Sequence, residues 1–364
     1  MPVTQSANGT ATPPAQADSE APREAAKRIA VVVNGRAKNV TAEVISTLDQ
    51  ILRGGDLFVS QSLDDARHIA KTLVARAYGT VLTGGGDGTF TVMVTEVVRE
   101  ARRAARPLPR FGLLKLGTGN SLAWVVGARD VKGRELGADI ERLSQHAGSR
   151  SMRLIEVEGI ISPFCGLGAD AMVLSDYNWM KERLSRTPLR RVAPGPLSYG
   201  LAAVTRSLPQ QLFGKQPHCR IVNEGGEAVR VGAKGSVLGR PIQRGETVYE
   251  GPVRLAGMST IPYYGYGLRM FPYAEERPDR MHLRVTTISP VRFLAHFSEI
   301  WRGSYDDPGS VFDYLVEAVR IEIDPPTPFQ IGGDLRGERA ELSVVLSPTP
   351  IELVDLYAPP AVEG

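Results

Sequence analysis

The sequence predicts an α/β protein, with a doubly wound, mostly parallel sheet followed by a β-sandwich-like second domain. Three observations carry this. From Arg28 to about residue 116, short apolar runs alternate with segments of helical periodicity, the pattern of βα units joined by right-handed crossovers. Two glycine clusters, Gly84-Gly85-Gly86-Asp87-Gly88-Thr89 and Gly117-Thr118-Gly119-Asn120, each follow directly on such a run, where open parallel sheets form their ligand crevice. Beyond about residue 150 come β-rich patches broken by Gly and Pro, as antiparallel strands with tight turns require.

The elements follow in order. Residues 1–27 are rich in Ala, Pro, Ser, Thr and Gln and lack both the basic start and the apolar run of a secretory signal, so a disordered tail is expected. Ile29-Ala30-Val31-Val32-Val33 is apolar without alternation, which suits a strand buried on both faces. Val44, Ile45, Leu48, Ile51 and Leu52 share a helical face that Gly54-Gly55 ends. A short strand at Leu57-Phe58-Val59 precedes a helix with Ser62 as cap and Asp65 three residues on. Thr80–Thr83 is a strand running into the first glycine cluster, and Phe90, Met93, Val94, Val97, Val98 and Ala101 line the helix after it. Phe111–Leu114 is the strand entering the second cluster. Strand patches follow at Met152–Val157, Val253–Leu255, Met281–Val285 and Ile321–Ile323, with one helical stretch at about 169–208. The run near Glu341–Leu356 has no partner nearby, so it is expected to return toward the first domain. With 364 residues and about 150 per domain, two domains are expected, at 28–150 and 151–340, with a closing strand and tail at 341–364.

Composition excludes several classes. Lys and Arg number 43 against 40 Asp and Glu, a net charge of +3, too even to argue for nucleic acid as a partner. No apolar stretch reaches the roughly 18–20 residues of a transmembrane segment. Cys165 and Cys219 form no CxxC pair, and the five histidines show no metal-ligand spacing. A reducing, intracellular setting is the expectation.

The chemistry concentrates in the glycine clusters. The four glycines of the first let the backbone turn sharply and present N–H groups to an anion, and the following helix adds its positive end. An Asp among those amides can hold a metal ion or accept a hydroxyl proton beside a bound phosphate. The chain has no GxxxxGKS/T, so this is not the usual NTPase loop. One such cluster alone could be a plain turn. A second cluster and a third strand end, Asn34-Gly35-Arg36-Ala37-Lys38, fall at the same sheet edge, and convergence of three argues for a binding crevice.

In these residues the sequence resembles the diacylglycerol kinase catalytic family, which includes bacterial lipid kinases, sphingosine kinases and ceramide kinases, with NAD kinases as distant relatives. Gly85–Thr89 is similar to the family's GGDGT loop, and Leu116–Asn120 with Leu122-Ala123 to its second glycine motif. Phe164–Ala171 resembles a GxGxDA segment, Tyr264–Pro272 a glycine-rich turn and strand, and Phe329–Asp334 the region of an acidic DGE. The resemblance covers about residues 28–356. It implies a nucleotide-binding first domain, a lipid-substrate second domain, and ATP and Mg2+ as cofactors. It implies that Asn34, Gly84, Gly85, Gly86, Gly88, Thr89, Gly117, Thr118, Gly119 and Asn120 cradle ATP. Asp87 would act as general base or hold magnesium, and Asp334 would support the metal. Asp170 would contact substrate; the alternative reading is a helix-capping acid. Arg183 and Arg186, in a basic run from Lys181 to Arg191, would meet phosphate or a lipid headgroup; the alternative is a solvated helix end. A cytoplasmic enzyme acting peripherally at the inner face of a membrane on a lipid substrate is implied, and a homodimer is compatible with it. An NAD kinase-like enzyme and a non-catalytic lipid- or nucleotide-binding protein are the other readings.

The sequence departs from the family pattern at several positions. An expected Asn-Glu pair reads Thr91-Val92, which takes away polar groups that would face the nucleotide. Ser121 stands where many bacterial members have Asp. The DGE reads Gly332-Gly333-Asp334, one carboxylate fewer. The aromatics Trp179, Tyr199, Phe213, Tyr263, Tyr264, Tyr266, Phe271 and Trp301 are either an acyl-chain cleft or ordinary core.

Overall fold

The computed structural model describes residues 28–37, 39–52, 56–117, 120–128, 136–138, 140, 148–172, 174–175 and 216–357. The first part runs β1 (Ile29–Asn34), α1 (Ala42–Leu52), β2 (Leu57–Ser60), α2 (Leu63–Ala75), β3 (Thr80–Gly85), α3 (Asp87–Ala104), β4 (Arg110–Lys115), α4 (Ser121–Val125) and β5 (Gly148–Met152). The second continues with β6 (Ile155–Val157), β7 (Ile160–Ser162), β8 (Phe164–Gly168), β9 (His218–Asn223), β10 (Ala228–Val231), β11 (Val237–Ile242), β12 (Thr247–Pro252), β13 (Leu255–Ser259) and β14 (Met281–Thr286). After α5 (Pro290–Ala295) and α6 (Phe297–Arg302) come β15 (Val311–Val316), β16 (Ala318–Ile331), β17 (Asp334–Leu346) and β18 (Ile351–Asp355).

The first sheet has the order β2-β1-β3-β4-β18-β5. Strands β2, β1, β3, β4 and β18 pair in parallel, and β5 closes the edge antiparallel to β18. β1 is buried along its middle because a strand lies on each side of it and side chains pack on both faces. Edge strand β2 is only half-buried. The expected cap of α2 is present: the Ser62 hydroxyl accepts the Asp65 N–H at 3.1 Å, and the Asp65 carboxylate accepts the Gln61 N–H at 2.9 Å. The last strand does lie in this sheet, but only as 351–355; the stretch before it, to Leu346, is β17 of the second sheet.

The second sheet is antiparallel, with twelve strands among the described residues. Its path is β11-β10-β15-β14-β13-β8-β16-β17-β6-β7, with β9 and β12 branching from β16. Side chains from the branch, such as Cys219, Ile221 and Val248, share one core with Met258, Leu283 and Val285 of the main path. The sheet therefore folds over its own core, as the two layers of a sandwich would.

Met152–Val157, which reads as one strand patch, is divided between the sheets. β5 pairs with β18 in the first, and β6 pairs with β17 in the second. Arg153 sits at this crossing and donates to the carbonyls of Ser347 and Leu346, at 2.8 and 3.3 Å, where the chain crosses back. Of the expected helix at 169–208, residues 169–172 and 174–175 are helical and the remainder lies outside the described residues.

α3 lies between the two sheets. Phe90, Met93, Val94 and Val97 pack into the first core, while Thr91 and Thr95 are buried on the other side against β7. A helix enclosed on both sides has little use for a polar face, which fixes the position of its first turn, and hence of Asp87.

Candidate active site

The carboxyl ends of β1, β3 and β4 bring their loops together, as the sequence implies. Asn34 Nδ2 donates to Thr89 Oγ1 at 3.2 Å, and Asn34 Oδ1 accepts the Arg36 N–H at 2.9 Å. Gly84 and Gly85 end β3, Gly86 precedes α3, and Gly88 and Thr89 lie in its first turn. The two glycine clusters touch backbone to backbone. A Cβ on Gly117 would stand 2.5 Å from Gly86 N and 2.8 Å from the Gly85 carbonyl carbon, so only glycine fits there. Asn120 Nδ2 closes the second loop on Gly117 O at 3.0 Å. Thr118, Gly119, Arg183 and Arg186 lie outside the described residues.

Asp87, first residue of α3, reaches across to α4. Its two oxygens accept the Ser121 N–H at 2.9 and 2.8 Å, and Oδ1 accepts the Leu122 N–H at 3.4 Å. Burial between the loops pushes its pKa up to about 6, against hydrogen bonds from Ser121 and Leu122 that pull it down. A carboxylate poised near neutrality suits proton acceptance.

The second domain completes the surroundings. The Ser121 hydroxyl accepts the Gly265 N–H at 2.6 Å. Next to Gly265, the Tyr264 hydroxyl donates to Asp170 Oδ2 at 2.7 Å, and Gln330 Nε2 donates to the same oxygen at 3.0 Å. Gln330 Oε1 accepts the Gly333 N–H at 3.0 Å. Asp334 then lies over Gly88, its Oδ2 3.0 Å from where a Cβ would stand. The chain of neighbours thus runs from Asp87 through the second domain and back to the residue beside Asp87. Asp170 Oδ1 is buried and has no hydrogen-bond partner among the described residues, and burial raises the pKa of the group. Asp334 is exposed at its surface, yet the protein packed around its carboxyl desolvates it and raises its pKa, with Arg336 opposing.

Ser121, Tyr264 and Gln330 join the site, although the sequence motifs alone do not assign them a role in it. Tyr264 and Gln330 flank the glycine turns of the second domain, a signal that could have found them. Two of the departures from the family pattern have a structural setting. Thr91 makes no contact toward the open side of the glycine loops: it is fully buried, its hydroxyl 3.2 Å from Ser162 Oγ. Gly332 has φ +57°, and a Cβ there would overlap Thr91 Oγ1 and stand 3.1 Å from Ser162 Oγ. The two departures are therefore one steric event, with no room at residue 332 for an acid while Thr91 is present. Of the aromatics, Phe271 is core, Tyr264 belongs to the polar network, and Tyr266 is exposed; Trp179, Tyr199 and Phe213 lie outside the described residues.

No cluster of three or more His, Cys, Asp or Glu able to hold a metal occurs among the described residues. Asp87 and Asp334 are two carboxylates flanking the first helical turn, a donor set that fits magnesium, an ion usually held by one or two carboxylates and the substrate's phosphates.

Residues 28–157 match the family model of the diacylglycerol kinase catalytic domain. The fold is similar to that of a solved diacylglycerol kinase from Bacillus anthracis str. Sterne, with a TM-score of 0.56 and 12% identity over 90% of this chain and 97% of that one. Two further solved structures from the same organism align with TM-scores of 0.60 and 0.59, at 14% and 13% identity, over 90% of this chain and 95% and 97% of theirs. No curated protein matches significantly.

Proposed function

We propose that this chain, whose residues 28–157 match the diacylglycerol kinase catalytic domain, transfers phosphate from ATP to a hydroxyl of diacylglycerol or a sphingoid lipid such as ceramide. The observation that carries the reading is the Asp87 carboxyl, set between two touching glycine loops with a pKa of about 6.

Backbone N–H groups of the Gly84–Thr89 and Gly117–Asn120 loops, with Asn34, hold the nucleotide phosphates. Asp87 takes the proton as the lipid oxygen bonds to the terminal phosphorus and the bond to the bridging oxygen of ADP breaks. Asp334 would hold a magnesium ion beside the phosphates, and the bound ion would supply neutralisation of the charge on the transferring group. Asp170 lies at the second-domain wall for the substrate's polar end, with Arg183 and Arg186 as further contacts to phosphate or headgroup. No helix among the described residues is long and apolar enough to cross a membrane. Access to a bilayer substrate is supported by the exposed Val291, Leu294 and Phe297 of α5 and α6. These helices join the 264–269 turn through the Arg269 N–H bond to Trp301 O, at 3.0 Å.

A panel of diacylglycerol, ceramide, sphingosine and NAD with labelled ATP tests the reading. Phosphorylation of a lipid is the expected result. Turnover of NAD with the lipids ignored would make this a soluble dinucleotide kinase, and magnesium-independent ATP binding with nothing phosphorylated would make it a binding protein.

A further inference from the structure

Ser121 is fully buried and stands where three parts of the site meet. Its N–H donates to both oxygens of Asp87. Its hydroxyl accepts the Gly265 N–H at 2.6 Å. One small residue therefore bridges the acid between the glycine loops and the glycine turn of the second domain. Gly265 itself adopts φ +60°, a conformation that disfavours any residue with a Cβ. Beyond it, Tyr264 leads to Asp170 and Gln330, and Gly333 leads back toward Asp334 over Gly88.

We propose that Ser121 is a positioning residue: it sets the orientation of the Asp87 carboxylate according to how the 264–267 turn of the second domain is seated. The proposal rests on the kinase reading only for what Asp87 does once positioned. A carboxylate at this place, common in the resembling family, would set a second negative charge against Asp87 in a space with little water. Serine joins the same two partners without that charge, its backbone N–H donating to Asp87 and its hydroxyl accepting from Gly265. Alanine keeps the backbone bond to Asp87 but leaves the Gly265 N–H unpaired, so the acid keeps its anchor and loses its link to the second domain.

The test uses the full chain as Ser121→Ala and Ser121→Thr, with two readouts. In amide hydrogen exchange, the Ala variant is expected to exchange about 10-fold faster or more at both 263–268 and 86–90, with α2 and β14 unchanged; Thr retains protection. In lipid phosphorylation, Ala is expected to lower kcat by roughly 10- to 100-fold, as small misplacements of a catalytic group do, with KM for ATP held within about twofold. Thr restores most of the turnover. Unchanged exchange at 86–90, acceleration spread evenly over the whole chain, a raised KM with kcat intact, or Thr as impaired as Ala would each overturn the proposal. If the unsubstituted chain phosphorylates no lipid, the kinase reading fails while the exchange result still decides the role of Ser121.

Discussion

Asp87 is kept ionisable in a place that favours its neutral form. Its pKa is near 6 in the fold against 3.8 for the free group, so the folded state holds the proton more tightly than the unfolded chain does. The stabilisation from protonation is complete below about pH 4 and is lost as pH rises through 6, a loss of about 3 kcal/mol. Asp87→Asn removes this dependence. At pH 8 the Asn variant is expected to melt above the unsubstituted protein, with the gap closing toward pH 4; equal melting at pH 8 would show that the site does not disfavour the charge. Gly332 gives a second residue-scale prediction. Its positive φ and the overlap with Thr91 Oγ1 mean that Gly332→Ala destabilises by about 1–3 kcal/mol in urea unfolding. Part of that loss is expected to return in the Thr91→Ala background, whereas simple addition of the two losses would show that the positions are independent.

At the scale of elements, α3 joins the two sheets. Thr95 Oγ1 donates to Thr91 O at 2.6 Å and accepts the Ile161 N–H of β7 at 2.9 Å. Thr95→Val keeps the shape and leaves that buried N–H without its acceptor, so a loss of about 1–3 kcal/mol is expected from chemical denaturation. No change would mean that β7 is not held through this bond. The elements of the first sheet were legible because each is a local signal: the Val31–Val33 run, the Ser62 cap, the apolar stripe of α3. The division of Met152–Val157 was not, since apolar residues report burial but not which sheet provides it. The burial of Thr91 was hidden for the same reason, because a single helical period shows the face on the first core and is blind to a second sheet behind. The glycine loops and Asp87 could be read from spacing. The bonds among Asp170, Tyr264 and Gln330 join residues 94 and 160 positions apart, and only the folded sheet brings them together.

In the whole molecule, the site depends on two domains that the chain ties together, among the described residues, at 152–155 and at 346–351. Arg153 bonds one crossing to the other, and Arg102 on α3 adds contacts to Glu156, Ser347 and Thr349. The glycine loops belong to one sheet and Asp170, Gln330 and Asp334 to the other side, so relative motion of the sheets would change the distance between the loops and these three residues. Asp87 lies at the junction, and its action as the base for lipid phosphorylation is the central claim. Turnover of Asp87→Asn with labelled ATP, magnesium and the lipid phosphorylated by the unsubstituted chain is the most direct measurement. The account predicts a loss of about 10²–10⁴-fold, the usual contribution of a positioned base, in a variant that remains folded. Full turnover by the Asn variant would contradict it.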